Sequence, residues 1–402
     1  MRRKVLVLSR NYPNNIFPIL GLWVERQVRH AIRYCEPKVI APVQYAPPLP
    51  GLGEYYARYR RIQDHEWMNG VEVFRPRYVI GPGYTTHNYE WMTYYWGVRK
   101  QVARLRKSFP FELIHAHYTY PDGLVATQLG KQYGVPVIIT EQNLWRPWLD
   151  QYPTVRRHAM RAAQASAFHV AISNAVYDSI THFTGPSDKL RVIPDGVDGS
   201  AFVPSSNGRQ RATDQILFVG IVRPVKGLDI LLQAMELLVK SRPELKLLIV
   251  GESFFQTYRR EYLRLQSLVE RSGIQRHIEF AGRKTDAELV DLMQHSTMLV
   301  MPSRLESLGM VLIEALACGT PVVATRCGGP EDIVNDTVGV LVPTENPEAL
   351  ARGIETVLAR RADYDPGQLR AYALEKFGLD SVGSRLEALY SEAIERHRAP
   401  AG

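Results

Sequence analysis

Two glutamates, Glu306 and Glu314, stand on either side of a predicted turn between a strand and a helix. The apolar run 298–301 predicts a buried strand of a parallel sheet, and residues 308–317 predict a helix that begins at the turn. The carboxyl end of such a strand is where open α/β sheets bind ligands, and a helix N-terminus suits a phosphate. Because a carboxylate beside a diphosphate would be repelled, we expect both glutamates to accept hydrogen bonds from ribose and sugar hydroxyls instead.

The same stretch carries a longer pattern over residues 302–329, PS-x-x-E-S-x-G-x-x-x-x-E-A-x-A-x-G-x-P-V-V-A-T-x-x-G-G. An ordinary strand–helix unit explains its apolar residues, but not both glutamates, Gly309 and the Gly328-Gly329 turn together. The pattern resembles the signature of the family-four retaining glycosyltransferases of the GT-B fold, of the bacterial polysaccharide and glycolipid type. The resemblance implies an α/β protein with two doubly wound, Rossmann-like parallel-sheet domains that face each other across a cleft.

A basic loop, VGIVRPVKG, joins the first predicted strand of the second half to its first helix at residues 219–227. A lysine and an arginine at the carboxyl end of a sheet can neutralise the charge that develops on a departing nucleoside diphosphate. We therefore predict catalytic roles for Lys226 and Arg223. The family pattern places its arginine directly after the glycine, where this chain has Ile221, so either Arg223 reaches back to the same phosphate or one contact is lost.

The first half contributes two candidates. His117 ends the predicted strand FELIHAH, and the resemblance implies that this second histidine touches the donor sugar, whereas His115 is expected to be a satisfied core residue. Gly21 opens a predicted helix, where a glycine lets a phosphate approach the backbone. The resemblance places this glycine across the cleft from the donor diphosphate. The alternative is a glycine that merely ends a loop.

The remaining donor contacts are predicted in the second half. Glu314 is expected to bind the ribose and Glu306 the sugar hydroxyls, while the sugar and phosphate are expected to meet the amides of Leu308, Gly309 and Met310. Arg283, which follows Gly282, is predicted beside the base. No Asp-x-Asp pair stands at a predicted strand end, which disfavours a metal-dependent transferase of the other common fold. We therefore predict neither a metal site nor a cofactor.

The length of 402 residues allows two domains, and 45% hydrophobic with 22% charged residues is typical of globular proteins. We predict an N-terminal acceptor-binding domain at 1–198 and a C-terminal nucleotide-sugar-binding domain at 199–378. A final helix at 379–402 would, by the resemblance, cross back to the first domain. Strands alternate with helices through the second half, as in a doubly wound sheet, and only helices are predicted after a strand at 321–325.

The charge of the chain is uneven. Residues 1–200 hold 25 lysines and arginines against 15 acidic residues, a balance of +10, whereas residues 201–402 have a balance of −2. A basic half suggests an anionic partner, and because no nucleic-acid motif accompanies it, we favour a membrane surface or a phosphorylated acceptor. The basic helix predicted at 88–107 fits either an interfacial helix on an anionic membrane or an ordinary surface helix whose apolar stripe faces the core.

Three further observations concern the compartment. No run of 18 apolar residues occurs, and the apolar run at 5–8 is too short for a signal peptide. The three cysteines show no metal-binding spacing and cannot all pair. These features favour a cytoplasmic protein, with peripheral attachment to the inner face of the membrane as an option.

The predicted activity is metal-independent transfer of a hexose from a nucleoside diphosphate sugar to an acceptor hydroxyl, with the retention that the resemblance implies. UDP is the favoured nucleotide and GDP the next, and cell-surface polysaccharide or glycolipid synthesis is the expected setting. The main alternative is a non-catalytic nucleotide-sugar-binding or scaffold protein of the same fold, which Ile221 favours. A pyridoxal-dependent phosphorylase would need a Schiff-base lysine, and the sequence identifies none.

Overall fold

The computed structural model of the chain describes residues 2–45, 57–80, 84–205, 214–251 and 256–399. The chain divides into two compact units, Met1–Gly196 with Val382–Gly402, and Val197–Ser381. Each unit contains its own largely parallel sheet, and helices alternate with strands through the second unit and through most of the first. The predicted α/β fold class is therefore confirmed.

The first unit holds an eight-stranded sheet and a two-stranded ribbon. In chain order its strands are β1 (Arg3–Leu8), β2 (Cys35–Ile40), β3 (Val43–Gln44), β4 (His65–Met68), β5 (Val71–Phe74), β6 (Arg77–Tyr78), β7 (Leu113–His117), β8 (Val137–Glu141), β9 (Phe168–Ala171) and β10 (Leu190–Val192). The large sheet has the order β10-β9-β8-β7-β1-β2-β5-β4, and only β4 runs antiparallel to its neighbour. Strands β7 and β8 are buried along their whole length, as expected where helices cover both faces.

The helices of this unit follow its strands. They are α1 (Leu22–Ala31), α2 (Glu90–Ser108), α3 (Leu124–Tyr133), α4 (Trp148–Gln151), α5 (Pro153–Ala165) and α6 (Asn174–Thr184). In α2 the buried residues Tyr94, Val98, Val102 and Leu105 recur every three or four positions, so one face of this helix packs into the core.

One predicted strand of the first half was wrong. The sequence predicts a single strand over residues 71–78, but the structure forms two, Val71–Phe74 in the large sheet and Arg77–Tyr78 in the ribbon. Pro76 lies between them and has no N–H to donate to a ladder. Its carbonyl instead accepts from Val43 N at 3.0 Å, which starts the separate ribbon.

The second unit contains a six-stranded sheet in which every neighbouring pair is parallel. Its strands are β11 (Gln215–Val219), β12 (Lys246–Val250), β13 (Ile278–Gly282), β14 (Met298–Met301), β15 (Val322–Thr325) and β16 (Gly339–Val342), in the order β13-β12-β11-β14-β15-β16. The expectation of helices alone after residue 325 was wrong, because β16 has four residues, too few to show a period.

The helices of the second unit alternate with these strands. They are α7 (Leu228–Leu238), α8 (Gln256–Ser272), α9 (Asp286–His295), α10 (Met310–Ala317), α11 (Pro330–Ile333), α12 (Pro347–Ala359) and α13 (Pro366–Phe377). None of the helices within the described ranges combines the length and the apolar character needed to cross a membrane.

The last helix, α14 (Leu379–Arg398), belongs to the first unit from Val382 onwards. It lies against the first sheet, where Tyr390 Oη is 2.7 Å from His115 Nδ1. The other ring nitrogen of His115 is 2.8 Å from Thr140 Oγ1, so both nitrogens have partners inside the core. His115 is thus a satisfied core residue, as the sequence predicted.

Burial of His115 makes the stability of the protein sensitive to acid. Burial lowers the pKa of this histidine from 6.5 to about 3, so the unfolded chain takes up a proton on acidification before the folded chain does. The stability that the neutral ring contributes is present above the unfolded pKa and is lost as the pH falls from about 6.5 toward about 3.

We expect His115→Gln to reduce the acid sensitivity of folding. Between pH 6.5 and 5 the wild-type protein should lose about 2 kcal/mol more unfolding free energy than this variant, at roughly 1.4 kcal/mol per pH unit. Urea unfolding at several pH values measures the difference. The exposed His397 on the same helix, changed to glutamine, is the control. Parallel pH profiles for the wild type and His115→Gln would contradict the prediction.

Candidate active site

The carboxyl ends of β11 and β14 lie side by side, because the strand order of the second sheet reverses between them. Their following loops are joined where Arg304 N donates to Val225 O at 2.8 Å. The loop after β14 is joined in turn to the loop after β15, where Glu306 N donates to Cys327 O at 3.1 Å and Gly329 N donates to Glu306 O at 2.9 Å. The backbone of Glu306 is therefore fixed on both of its polar groups.

Two glycines allow these loops to approach one another. Gly227 has a φ of 65°, and a Cβ at this position would lie 1.9 Å from the carbonyl oxygen of Pro302. A Cβ on Gly329 would lie 2.3 Å from Leu308 Cα. Neither distance can be accommodated without moving backbone, so both positions require glycine. The final glycine of the sequence pattern thus packs the loop that carries Glu306.

Lys226 and Glu306 form an ion pair between these loops. Lys226 ends the short 3-10 turn Pro224–Lys226, and its Nζ donates to Glu306 Oε2. The two side chains are 17% and 16% exposed, so the pair is largely shielded but remains accessible to a ligand. An ammonium group can neutralise phosphate charge, and a carboxylate can accept from hydroxyls. The pair can therefore exchange its internal contact for contacts with two parts of one nucleotide sugar.

Arg223 precedes the same turn with an extended backbone. Its Nε is buried and has no hydrogen-bond partner among the residues that the structure describes. Ile221, two residues earlier, is half-buried and carries no charge. The position of Arg223 neither supports nor contradicts a contact with a phosphate, so that role stays a prediction.

The helix after Glu306 begins later than the sequence predicted. α10 starts at Met310, and Gly309 before it has a φ of 101°, a conformation that favours glycine. The predicted start at residue 308 was wrong. Leu308 is buried although it lies in the loop, and in the sequence a buried apolar loop residue cannot be told from the first apolar residue of a helix. No side chain caps the helix at Gly309, so its first N–H groups depend on other acceptors.

Glu314 lies in the second turn of α10 and is 7% exposed. Glu306 differs from it in place and in partner, since it belongs to the loop and its carboxylate contacts Lys226. The structure thus places the two glutamates of the pattern in different settings, one in a buried helix and one beside a cation. This difference agrees with different ligand groups for the two carboxylates.

At the carboxyl end of β7, His117 is fully buried. Its Nδ1 is 3.5 Å from Gln142 Nε2, and Gln142 also donates to Asp195 Oδ1 at 3.2 Å. Its Nε2 has no partner among the described residues. Burial, assisted by the nearby His115, holds the pKa of His117 well below its usual range. His117 is therefore neutral at physiological pH. Its Nε2 can form one hydrogen bond with a ligand, but the ring cannot supply a positive charge.

Glu141, at the end of β8, has a structural role. Its Oε1 accepts from the backbone N–H groups of Gln142 and Asn143, both at 2.9 Å. Its Oε2 accepts from Thr119 N and from the indole of Trp145, both at 3.0 Å. With four donors, this carboxylate fixes the turns after β7 and β8 and has little capacity left for a substrate.

Gly21 and Arg283, two residues predicted to contact the donor, lie in loops whose geometry does not test those contacts. Gly21 precedes α1 with a φ of 67°, and a Cβ there would lie 2.0 Å from Asn11 O, so loop packing alone requires glycine. Arg283 follows β13 and is exposed. Their proposed contacts with the diphosphate and the base stay predictions.

Arg304 is the residue that sequence reasoning missed. It donates from Nη1 and Nη2 to both carboxylate oxygens of Asp229, at 2.9 Å each, and its Nε donates to Glu345. Burial opposes ionisation of Asp229, but the hydrogen bonds and charge of Arg304 lower its pKa overall. The sequence placed Arg304 in the turn, but nothing in the pattern pointed to a partner 75 residues earlier.

Comparison with known proteins identifies the family. The pattern of the family described as "Glycosyltransferase Family 4" matches residues 24–200, and that of "Glycosyl transferases group 1" matches residues 202–373. The D-inositol 3-phosphate glycosyltransferase of Streptomyces avermitilis is 31% identical over 332 residues, which cover 75% of this chain and 69% of that protein. The chain is a family-four glycosyltransferase. The corresponding protein of Streptomyces bingchenggensis is 30% identical over 72% of this chain and 68% of its own.

Solved structures confirm the GT-B fold of this glycosyltransferase. Sucrose-phosphate synthase from Thermosynechococcus elongatus matches 98% of the chain and all of its own, with a TM-score of 0.79 at 20% identity. Anabaena HepE in complex with UDP matches 97% of the chain and all of its own, with a TM-score of 0.74 at 18% identity. The family and the fold together identify the protein as an enzyme that transfers a sugar from a nucleotide sugar.

We expect Glu314→Ala to weaken the binding of a sugar-free nucleoside diphosphate more than Glu306→Ala does. Glu314 is predicted to bind the ribose, and losing a charged acceptor should cost about 1.5–3 kcal/mol. Removal of Glu306 instead frees Lys226 for the diphosphate, so affinity for UDP should change little. Calorimetry with UDP measures both.

The charge-neutral replacement Glu314→Gln is the control, since it keeps the size of the side chain and tests the charge alone. A larger loss of UDP affinity in Glu306→Ala than in Glu314→Ala would show that the two roles are reversed.

Proposed function

We propose that this glycosyltransferase transfers a hexose, with retention and without a metal ion or cofactor, from a UDP sugar to an acceptor hydroxyl, and that GDP sugars are the next candidates. The observation that carries the proposal is the Lys226–Glu306 pair at the carboxyl edge of the second sheet. A lysine that is held in place by a carboxylate, yet accessible, suits a group that must meet the charge on a leaving diphosphate.

The residues divide the work as follows. Lys226 moves from Glu306 to the diphosphate oxygens, and Arg223 adds a second positive charge. Glu306, released from Lys226, accepts from sugar hydroxyls. The amides of Leu308, Gly309 and Met310, at the uncapped start of α10, hold the sugar and phosphate. His117, kept neutral by burial, is proposed to contact the donor sugar.

Retention rests on the resemblance, and no enzyme carboxylate is assigned as a nucleophile. We propose that the bond between the anomeric carbon and the diphosphate oxygen breaks, that the acceptor oxygen bonds to the same carbon on the same face, and that the departing phosphate accepts the proton of the acceptor hydroxyl. The cations around the diphosphate then stabilise the charge that remains on the leaving group. No enzyme carboxylate is assigned a covalent step.

One structural neighbour supports the preference for UDP. Anabaena HepE, similar in fold, binds UDP and UDP-glucose in its solved complexes. In this chain, buried Glu314 is proposed to receive the ribose hydroxyls, and exposed Arg283 is proposed to lie beside the base.

The acceptor is proposed to be anionic or presented on an anionic surface. The +10 balance of residues 1–200 supports this choice. The similar streptomycete enzymes carry the name D-inositol 3-phosphate glycosyltransferase, which indicates a phosphorylated acceptor for them. For this chain we propose an acceptor of polysaccharide or glycolipid synthesis on the cytoplasmic face of the membrane, with a soluble phosphorylated acceptor as the alternative.

Helix α2 supports peripheral membrane attachment. Tyr89, which directly precedes the helix, and Met92 and Trp96 within it are 63%, 43% and 56% exposed. Farther along the same helix Lys100, Arg104 and Lys107 are exposed. Aromatic residues followed by basic ones suit the interface of an anionic bilayer. An apolar stripe that faces the core and an interfacial face on an anionic membrane are thus compatible in one helix. The buried stripe packs in the core, and another face presents the exposed residues.

A scaffold function is the proposal's main rival. It would explain the uncharged Ile221, but it gives no reason to keep Lys226 and Glu306 paired in an accessible position. Turnover separates the two functions.

The test of the proposed activity combines ligand screening with three variants of the basic loop. Among UDP, GDP and ADP sugars, a UDP sugar should raise the melting temperature most, since a ligand that binds the native state stabilises it. With that donor, Lys226→Ala should lower kcat by roughly 10²–10³ and leave the unliganded melting temperature unchanged. Arg223→Ala should change kcat in the same direction, and Ile221→Arg should raise it if the site lacks one contact.

Two results would overturn this proposal. Absence of both hydrolysis and transfer with every stabilising donor would favour the scaffold. Formation of a product with inverted anomeric configuration, read from the proton coupling constant at the new bond, would exclude retention.

We expect Trp96→Ala to weaken binding to anionic vesicles. Loss of one interfacial tryptophan should reduce partitioning several-fold, and high salt should release the wild type, since each basic residue near the surface contributes ~1 kcal/mol. Sedimentation with phosphatidylserine vesicles and with phosphatidylcholine vesicles measures this. Trp67→Ala is the matched control, since Trp67 on β4 is also exposed, at 67%. Equal binding to both vesicle types would sink the proposal and favour a soluble acceptor.

A further inference from the structure

Arg304 forms hydrogen bonds with two successive residues of the loop that carries Lys226. Its backbone N–H donates to Val225 O at 2.8 Å, and its Nη1 donates to Pro224 O. These are the two carbonyls immediately before Lys226. A 3-10 turn of three residues has few hydrogen bonds of its own, so these external bonds fix much of its geometry.

The same side chain also fixes the helix that follows this turn. Asp229 lies in the first turn of α7, and Arg304 meets both of its oxygens in a planar, bidentate contact. Lys226 is therefore held from both directions, through the carbonyls before it and through the helix start after it. The Nε of Arg304 donates to Glu345 on the loop between β16 and α12, which ties the guanidinium to a third segment.

Arg304 is only two residues from Glu306, the partner of Lys226. The backbone of Arg304 thus connects the carboxylate and the loop of the ammonium group through one short segment. Arg304 itself is bonded to two carboxylates, so its own charge is already compensated. It is poorly suited to bind phosphate and well suited to orient the residue that does.

We propose that Arg304 is a positioning residue for the transfer reaction, which holds the Pro224–Lys226 turn so that Lys226 meets the leaving diphosphate. This inference rests on the proposed role of Lys226. Preorganisation of a cation contributes to the rate because a displaced group must be reordered in the transition state. The effect of Arg304 must therefore pass through Lys226.

A double-mutant cycle tests this dependence, with the most stabilising nucleotide sugar as donor. Arg304→Met should lower kcat by roughly 10–100-fold with a smaller change in KM. In the Lys226→Ala background the same change should lower kcat by less than about threefold, because the positioned group is gone. Arg304→Lys, which keeps a charge but not the fork, should restore part of the loss.

Two measurements separate positioning from general destabilisation. Hydrogen exchange over residues 219–230 should be faster in Arg304→Met, while the melting temperature stays close to that of the wild type. Arg326→Met is the matched control, since Arg326 lies on the neighbouring loop after β15 and pairs with Glu331 at 4.0 Å. If Arg304→Met fails to fold, Asp229→Asn provides the same test, because it removes the bidentate contact and leaves the carbonyl contacts of Arg304.

The outcomes distinguish this inference from the function on which it rests. Equal losses of kcat in the wild-type and Lys226→Ala backgrounds would overturn the inference alone, because Arg304 would then act without Lys226. Unchanged hydrogen exchange at 219–230 would also overturn it. Wild-type kcat in Lys226→Ala itself would overturn the assigned role of Lys226, and the inference with it.

Discussion

The hydrogen bonds between the loops after β11, β14 and β15 are the constraint on which the candidate site depends. Parallel strands end at the same edge of a sheet, but their loops diverge unless something joins them. In this chain the backbone groups of Arg304 and Glu306 form that connection. Gly227 and Gly329 are required because the joined loops leave no room for a Cβ. Glu306 is thus positioned mainly by backbone hydrogen bonds, whereas the turn that carries Lys226 is also bonded to the side chain of Arg304.

Charge in the second half of the chain is mostly compensated internally. Its overall balance is −2, so a diphosphate gains no general attraction from it. Arg304 is bonded to Asp229 and Glu345, and Arg370 donates to three carbonyls, those of Phe202, Ala317 and Gly199. Binding of a nucleotide sugar must therefore draw on local cations. In the proposed mechanism Lys226 becomes one of these cations only when it leaves Glu306, and this exchange would couple the phosphate end of the ligand to the sugar end.

The sequence predicted those parts of the structure that local pattern controls. The strand–turn–helix at 298–317, the basic loop at 219–227 and the helix at 379–398 follow from apolar period and turn residues, and the structure contains all three. The strand β16 and the division at Pro76 were missed, because short strands show no period. The start of α10 was misplaced by two residues, since Leu308 is buried in a loop.

The candidate site was predicted residue by residue but not as a set of contacts. Sequence spacing gave Glu306 and Lys226 separate roles, yet they lie 80 residues apart and contact each other only because β11 and β14 are neighbours. The contact between Arg304 and Asp229 has the same origin. A pattern within one segment cannot show such partners, whereas the reversal of strand order at a doubly wound sheet brings them together. Residues that act through a partner, as Arg304 is proposed to act through Lys226, are for this reason the ones that sequence reasoning most readily overlooks.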